Sequence, residues 1–426
     1  MDPFVTRRTA LTAALATGAA VGLPAATATA RVAARPAATG PASDPGPGPA
    51  WELPADQAAQ EGDPEADEVI KELVAAGQMQ LANQVFHDWT RNDQPVPDSA
   101  PSVLYDFLRR HAVLSEEERA AIDLVRNGDS GKLVQGNFEA ITMTEAFGGL
   151  FTALADPLLA KSVWYAKFDL VMDIGRRFSR TMNTLWDGLD GGNWDPSGNA
   201  VISVVKLRLV HAAARQTGLA HRWNQARDGM PISQRLEVEE LMYVGANNVQ
   251  LAAKFGFHPD PRQIDELVEL IRIGGRLVGI QEKYNPRTLD QCNQVLADAA
   301  ANHRAPSDEG IKLAHNMLDW MDREIFPGAG AVGASMVRMM DAHVADILDI
   351  KPNPVLDIPV ATLAPTSTDP CTRSSRSSRC SSPSTRRCSR SPRRRSPGTP
   401  STSATTTSRC PSADRPTPAP WRWPGR

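Results

Sequence analysis

A chain of 426 residues with 41% apolar and 22% charged residues has the composition of a soluble globular protein, long enough to bury a sizeable core. Its net charge of −3 hides a split, because residues 371–426 hold 13 Arg and a single Asp, so the rest is strongly acidic and an unsuitable nucleic-acid binder. Only Cys292 lies outside that tail, which excludes a disulfide framework and any CxxC pair for zinc or redox chemistry in the body.

Taken in chain order, residues 1–30 read as an export signal. Thr6-Arg7-Arg8 precedes a weakly apolar stretch from Leu11 to Leu23, and Ala28-Thr29-Ala30 offers a cleavage site. Twin arginines before a mildly hydrophobic core point to the Tat route and a secreted, extracellular product, with a Sec signal carrying accidental paired arginines as the alternative. The stretch is too short and too rich in Ala and Gly for stable membrane insertion. Residues 31–66, with Asp44-Pro-Gly-Pro-Gly-Pro49, read as a disordered linker.

From there to about residue 360 the periodicity is helical. It predicts helices over Ala66–Trp89, Ser102–Leu114, Ser115–Val125, Ala155–Leu189, Val201–Leu219, Ser233–Phe255, Pro261–Gly279, Thr288–His303, Ser307–Ile325 and Ala331–Ile350. Ser115-Glu-Glu-Glu118 and Ser307-Asp-Glu309 are helix starts, and period-2 runs of Val, Ile and Thr are absent. The expectation is an all-α fold, one large helical domain over 67–360. Residues 371–426 contain no Leu, Ile, Val, Met or Phe and cannot build a core. A frameshifted end of a GC-rich reading frame accounts best for that bias; a genuine disordered basic tail is the other reading.

Some motifs are decoys. Gly328-Ala-Gly330-Ala-Val-Gly333 has the spacing of a dinucleotide fingerprint, but the preceding Leu318–Phe326 is helical, so a helix-to-helix turn is the better reading. Gly275 and Gly279 fit close helix packing. No HExxH occurs, and Cys292 sits in a polar context that gives a thiolate ligand no support.

His211 is different. On a helix, Val204, Arg208, His211 and Arg215 share one stripe of an otherwise apolar run. Flanking guanidinium charges disfavour imidazolium, so the ring is expected neutral with a lone pair for a metal. The arginines need anions, which haem propionates would supply. A core histidine bonded to a carbonyl, with both arginines reaching solvent, is the bland alternative. His111 and His315 are second choices as ligands. A second helix crowds Asp173-Ile-Gly-Arg-Arg177-Phe-Ser-Arg180-Thr181, placing Arg177, Arg180 and Thr181 on one face. That face is either a solvated basic surface or a polar lid over a cofactor. Met172, Phe178, Met182, Met242 and Phe255 either line a channel for a flexible hydrocarbon or are core.

Arg177-x-x-Arg180-Thr181, followed by Val-Lys-Leu-Arg-Leu-Val-His211-Ala-Ala-Ala-Arg215, resembles the core signature of the latex clearing proteins. These are secreted b-type haem rubber oxygenases, in a family that also includes the mycophenolate-pathway oxygenases. Asp88–Pro97, Val163–Lys167, Asp195–Gly198 and Met230–Gln234 add echoes in the same order. The resemblance implies a globin-like helical core with a buried haem b, whose iron takes His211 as proximal ligand. Arg177, Arg180 and Thr181 would stand on the catalytic, distal side, with Arg208 and Arg215 supporting the cofactor. It implies O2-dependent cleavage of C=C bonds in an apolar polymer or small unsaturated substrate.

Two departures matter. The family has Lys where this chain has Arg180, and its catalytic Glu falls where this chain has Lys161, or Leu159 under a small gap. The same family's haem-binding scaffold without rubber cleavage, as a sensor or with another substrate, is therefore the runner-up. A cofactor-free helical binding module is the third reading, and the sequence leaves the oligomeric state open.

Overall fold

The structure is a computed structural model that describes residues 51, 53–165, 174–189, 191–220, 223–255 and 257–357, with side chains of the 174–189 helix described from Thr181 onward. Among the described residues there is no strand. The helices are α1 (Ala55–Gln60), α2 (Pro64–Ala75), α3 (Met79–Asp88), α4 (Ser102–His111), α5 (Glu116–Asn127), α6 (Asp129–Gly136), α7 (Phe138–Thr144) and α8 (Leu150–Leu154). There follow α9 (Pro157–Tyr165), α10 (Ile174–Leu189), α11 (Ala200–Ala220), α12 (Gln225–Asp228), α13 (Gln234–Val244) and α14 (Ala246–Ala252). The last are α15 (Pro261–Val278), α16 (Leu289–Asn302), α17 (Asp308–Glu324), α18 (Ala329–Met340) and α19 (Ala342–Ile347). The all-α expectation holds.

Capping chemistry sets many of the starts. Ser115 and Glu118 form a reciprocal capping box on α5, Asp260 and Gln263 another on α15, and Thr288 and Ser307 cap α16 and α17. Long predicted helices break where the chain turns. The 66–89 prediction becomes α2 and α3, and 233–255 divides at Gly245. The stretch from Asp129 to Leu154, absent from the predicted helices, contains α6, α7, a π-helical turn over Glu145–Gly149, and α8. Its apolar residues alternate with Gly and Thr too irregularly to show one helical stripe.

The linker boundary at residue 66 is corrected. Helix α1 begins at Ala55, and backbone bonds join Met230 N to Ala59 O at 2.8 Å and Gln234 N to Glu61 O at 2.7 Å. Asp63 is buried and caps α2 by accepting from Ala66 N. A Pro- and Gly-rich composition hid the two backbone bonds because their partners lie more than 140 residues away.

Helix α11 is central. Its Val201, Ile202, Val205, Leu209 and Ala212 join one core with α2–α5 and α15, while Val204 and Leu207 pack on another built from α13, α15 and α16. Burial on both sides explains why its sequence is apolar nearly all round. A third core gathers the π turn with α8, α10 and α17–α19. Met182 and Phe255 belong to that core and Met242 to the one around α13, so all three are core residues. Met172 and Phe178 lie outside the described side chains. No helix among the described residues is long and apolar enough to cross a membrane.

In the Gly328–Gly333 motif, Gly328 lies in the turn from α17 to α18 and Gly330 and Gly333 lie within the start of α18. Asp322 Oδ1 accepts from Gly328 N at 3.0 Å and Gly330 N at 2.7 Å, and a Cβ at Gly330 would overlap the Leu318 carbonyl. Gly279 ends α15 with φ of +106°, where any Cβ would also overlap Asp63 and Arg208.

Candidate functional site

His211, Arg208 and Arg215 on α11 each meet a carboxylate from another part of the chain. His211 is half-buried, and its Nδ1 lies 2.9 and 3.0 Å from Glu237 Oε1 and Oε2 on α13. Its Nε2 makes no hydrogen bond to any described residue. Nδ1–H donated to Glu237 fixes the ring orientation and leaves the Nε2 lone pair free, the arrangement of a metal-ligating histidine with its supporting carboxylate. Burial alone would lower the His211 pKa, but the charge and hydrogen bond of Glu237, with help from Glu240, outweigh it and the net shift is upward. The expectation of a ring held neutral by its arginines is thereby corrected: both arginines meet carboxylates first.

Arg208 is buried and paired with Asp63 through Nε and through Nη2, the latter at 2.9 Å. Its Nη1 meets His111 Nδ1 at 3.0 Å, and its guanidinium lies 5.1 Å from the Phe107 ring centroid. Arg215 is 1% exposed. Its Nε donates to Asp67 Oδ1 at 2.8 Å, and its Nη1 donates to Ile232 O at 2.8 Å and lies 3.5 Å from Glu237 Oε1. The anions expected from a cofactor are therefore supplied by the chain, from α2, its cap and α13. Arg208 and Arg215 support the helix that carries His211, and both charges are paired within the chain, with Arg215 Nη2 buried and without a hydrogen bond among the described residues.

Glu237 was invisible to sequence reasoning. Within Ser233-Gln-Arg-Leu-Glu-Val-Glu-Glu240 it looks like first-turn acid on a solvated helix, yet Glu237 and Glu239 are both buried. One ligand atom each from His211, Glu237 and Glu240 lie within 4.8 Å of one another, so the trio has the composition of a small metal site. The Arg215 charge beside Glu237 argues against a bare dication there and favours Glu237 as the partner of His211.

Helix α10 packs against α11. Thr181 is half-buried on it. The side chains of Arg177 and Arg180 lie outside the described ones. Lys161, where the family Glu would fall, is buried, ion-paired with Asp228 and 4.6 Å from the Trp223 ring centroid. That cation is committed and is no substitute for a carboxylate base.

The other candidates are occupied. His111 lies between Arg208 and Glu65, with Nε2 3.0 Å from Glu65 Oε2, and His315 Nε2 meets Leu348 O at 3.1 Å. Cys292 is fully buried, with its thiol pushed up to about 11 by burial, so it offers no thiolate.

A second polar cluster lies on another face of α13. Arg235 Nη1 donates to both Glu239 oxygens at 3.0 Å and lies 3.7 Å from Asp156 Oδ2, and His303 Nδ1 lies 2.8 Å from Glu239 Oε1. Burial and the neighbouring Glu239 push Asp156 up to about 6. Glu145, at the start of the π turn, is wholly buried with neither carboxyl oxygen hydrogen-bonded, and burial holds its pKa well above the ordinary value.

Comparison with known proteins agrees with this reading of the fold. The chain is 26% identical to the rubber oxygenase of Streptomyces sp. (strain K30) over 310 residues, 71% of this chain and 74% of the relative. It matches the structure of latex clearing protein LCP in the closed state with a TM-score of 0.64 at 20% identity, covering 72% of this chain and 82% of that one. Residues 135–367, more than half of the chain and including His211 and Glu237, match the catalytic domain described as ER-bound oxygenase mpaB/B'/Rubber oxygenase. The chain therefore belongs to the mpaB and rubber oxygenase family and is an oxidoreductase of the oxygenase type.

Proposed function

We propose that this oxygenase binds haem b through His211 Nε2 and uses O2 to cleave C=C bonds in a polyisoprene-like or other apolar unsaturated substrate. The observation that carries the reading is the commitment of His211 Nδ1 to the buried Glu237, which leaves the Nε2 lone pair as a ligand on a helix packed on two sides. The donor set fits: one imidazole with a carboxylate behind it, and no cysteine in the same cluster among the described residues. A bound haem supplies the oxygen chemistry.

The protein's own residues orient and shelter. Glu237 fixes the His211 ring, and the paired Arg208 and Arg215 hold α11 to α2. On the neighbouring helix α10, Arg177, Arg180 and Thr181 are proposed as hydrogen-bond donors to O2 or to a haem propionate. Arg180 cannot itself ligate iron, because guanidinium stays protonated and has no lone pair to give. Residues 1–30 are proposed as a Tat signal and the product as secreted, which intact-mass measurement of the exported protein tests. No role is proposed for residues 371–426.

Purification with adequate haem supply should give a Soret band, and His211→Ala should abolish or grossly shift it. A colourless wild-type protein carrying stoichiometric zinc or iron would sink the haem reading in favour of the His211–Glu237–Glu240 trio as a direct metal site. Oxygen uptake should appear with polyisoprene or a squalene-like substrate. Lys161 favours the second reading, a haem protein of the same family with different chemistry, since it offers a locked cation where the family has its Glu. A haem-loaded protein inert toward both substrates would select it.

A further inference from the structure

The contacts behind His211 do not stop at Glu237. Arg215 joins Glu237 on α13 to Asp67 on α2, with Nη1 at 3.5 Å from the first carboxylate and Nε at 2.8 Å from the second. Asp67 and Glu237 are both buried and Arg215 is 1% exposed, so water screens none of these charges well. Helix α2 precedes the residues 135–367 that match the family's catalytic domain. A segment that reads from composition as linker and helix start therefore supplies an anion three contacts from the imidazole.

We propose that Asp67 is a positioning residue for His211, acting through Arg215 and Glu237. Arg215 divides its positive charge between two carboxylates. The share taken by Asp67 sets how much negative charge Glu237 keeps for the Nδ1–H of His211. A stronger Nδ1 hydrogen bond raises the basicity of Nε2, the atom that would meet a metal. The geometry also separates Asp67 from Asp63 on the same helix start. Asp63 serves Arg208, which touches His111 and Glu65 but not Glu237. One acid is wired to the imidazole and its neighbour is not.

This inference rests on His211 as the ligand, and its test separates the two. The full chain, labelled with 15N-histidine, is read by NMR in the ferrous CO form for the Nδ1 proton of His211, assigned by its loss in Glu237→Gln. Asp67→Asn keeps an acceptor for Arg215 Nε but removes the charge. Arg215 then leans on Glu237 alone, and the Nδ1 proton should move upfield. Asp63→Asn should leave that proton in place while lowering the melting temperature. In the five-coordinate ferrous protein the iron–histidine stretch should fall in Asp67→Asn and stay fixed in Asp63→Asn.

If Asp67→Asn fails to fold, Arg215→Lys takes its place. Its shorter side chain stays with Asp67 and releases Glu237, so the proton should move downfield. A resonance and stretch unchanged from wild type in Asp67→Asn, with stability alone altered, would overturn the proposal. So would a shift equal to that of Asp63→Asn. A chain that takes up no haem overturns the haem reading only. The same Nδ1 resonance in the haem-free protein then still decides for or against Asp67.

Discussion

Helix α13 has two buried polar faces, and they are built on different accounts of charge. On one, Glu237 meets His211 and Arg215, and Arg215 reaches Asp67, so each carboxylate has a cation within 3.5 Å and one imidazole nitrogen is left over. On the other, Arg235 and His303 serve Glu239, while Asp156 keeps only a 3.7 Å contact to Arg235 and its Oδ2 has no hydrogen bond. The positions explain the division. Residues 235 and 239 are one turn apart, and 237 falls on the far side. The matched face has a free ligand atom to offer, and the crowded face stores electrostatic cost.

Removing a central guanidinium should give the largest effect. Arg215→Ala strands Asp67 and Glu237 in the interior and should cost about 3–5 kcal/mol, read by denaturant unfolding. Arg235→Ala should cost a comparable amount at neutral pH but clearly less below pH 6, where Asp156 takes up a proton. Equal pH dependence in the two variants would erase the distinction between the faces.

Asp156→Asn sharpens the comparison from the other side. The folded pKa of about 6 lies above the unfolded value, so ionising Asp156 costs stability progressively as pH rises from about 4 to 6, and the loss persists above. The asparagine keeps the oxygen that caps α9 by accepting from Leu158 N and Leu159 N. The variant should gain up to about 2–3 kcal/mol over wild type at pH 7 and lose that advantage below pH 4. A destabilised variant at pH 7 would mean the Asp156–Arg235 contact outweighs its burial.

Glu145 extends the series to a buried acid with no hydrogen bond to its carboxyl oxygens among the described residues. Glu145→Met places an apolar side chain among Met143, Phe147 and their neighbours and should stabilise by about 1–3 kcal/mol at neutral pH. Smallest of all, truncation before Cys371 should leave the melting temperature unchanged. A clear drop would give the tail a structural role.

How much of this could be read beforehand depended on whether a residue's partner was local. His211 stood out because a single imidazole between two arginines breaks an apolar helical stripe. The helix starts at Ser115 and Ser307 were equally local, each cap closed within four residues. Glu237 and Asp67 left no such mark. Both lie among the acids expected of helix first turns, and only packing against α11 distinguishes them from solvated charge.

The sequence by itself determined an all-helical chain, its family, and which histidine occupies the privileged stripe. Those follow from periodicity and from motif spacing within one helix or between neighbouring ones. Tertiary structure decided what the stripe's charges mean. It turned Arg208 and Arg215 from groups awaiting an external anion into partners of Asp63, Asp67 and Glu237, and it packed residues 53–66, the end of a presumed linker, against the helices. It also committed Lys161 to Asp228. The reason is common to all of these. The energy of a buried charge depends on which opposite charge the fold brings within a few ångströms, and here those partners stand 22 to 148 residues apart in the chain.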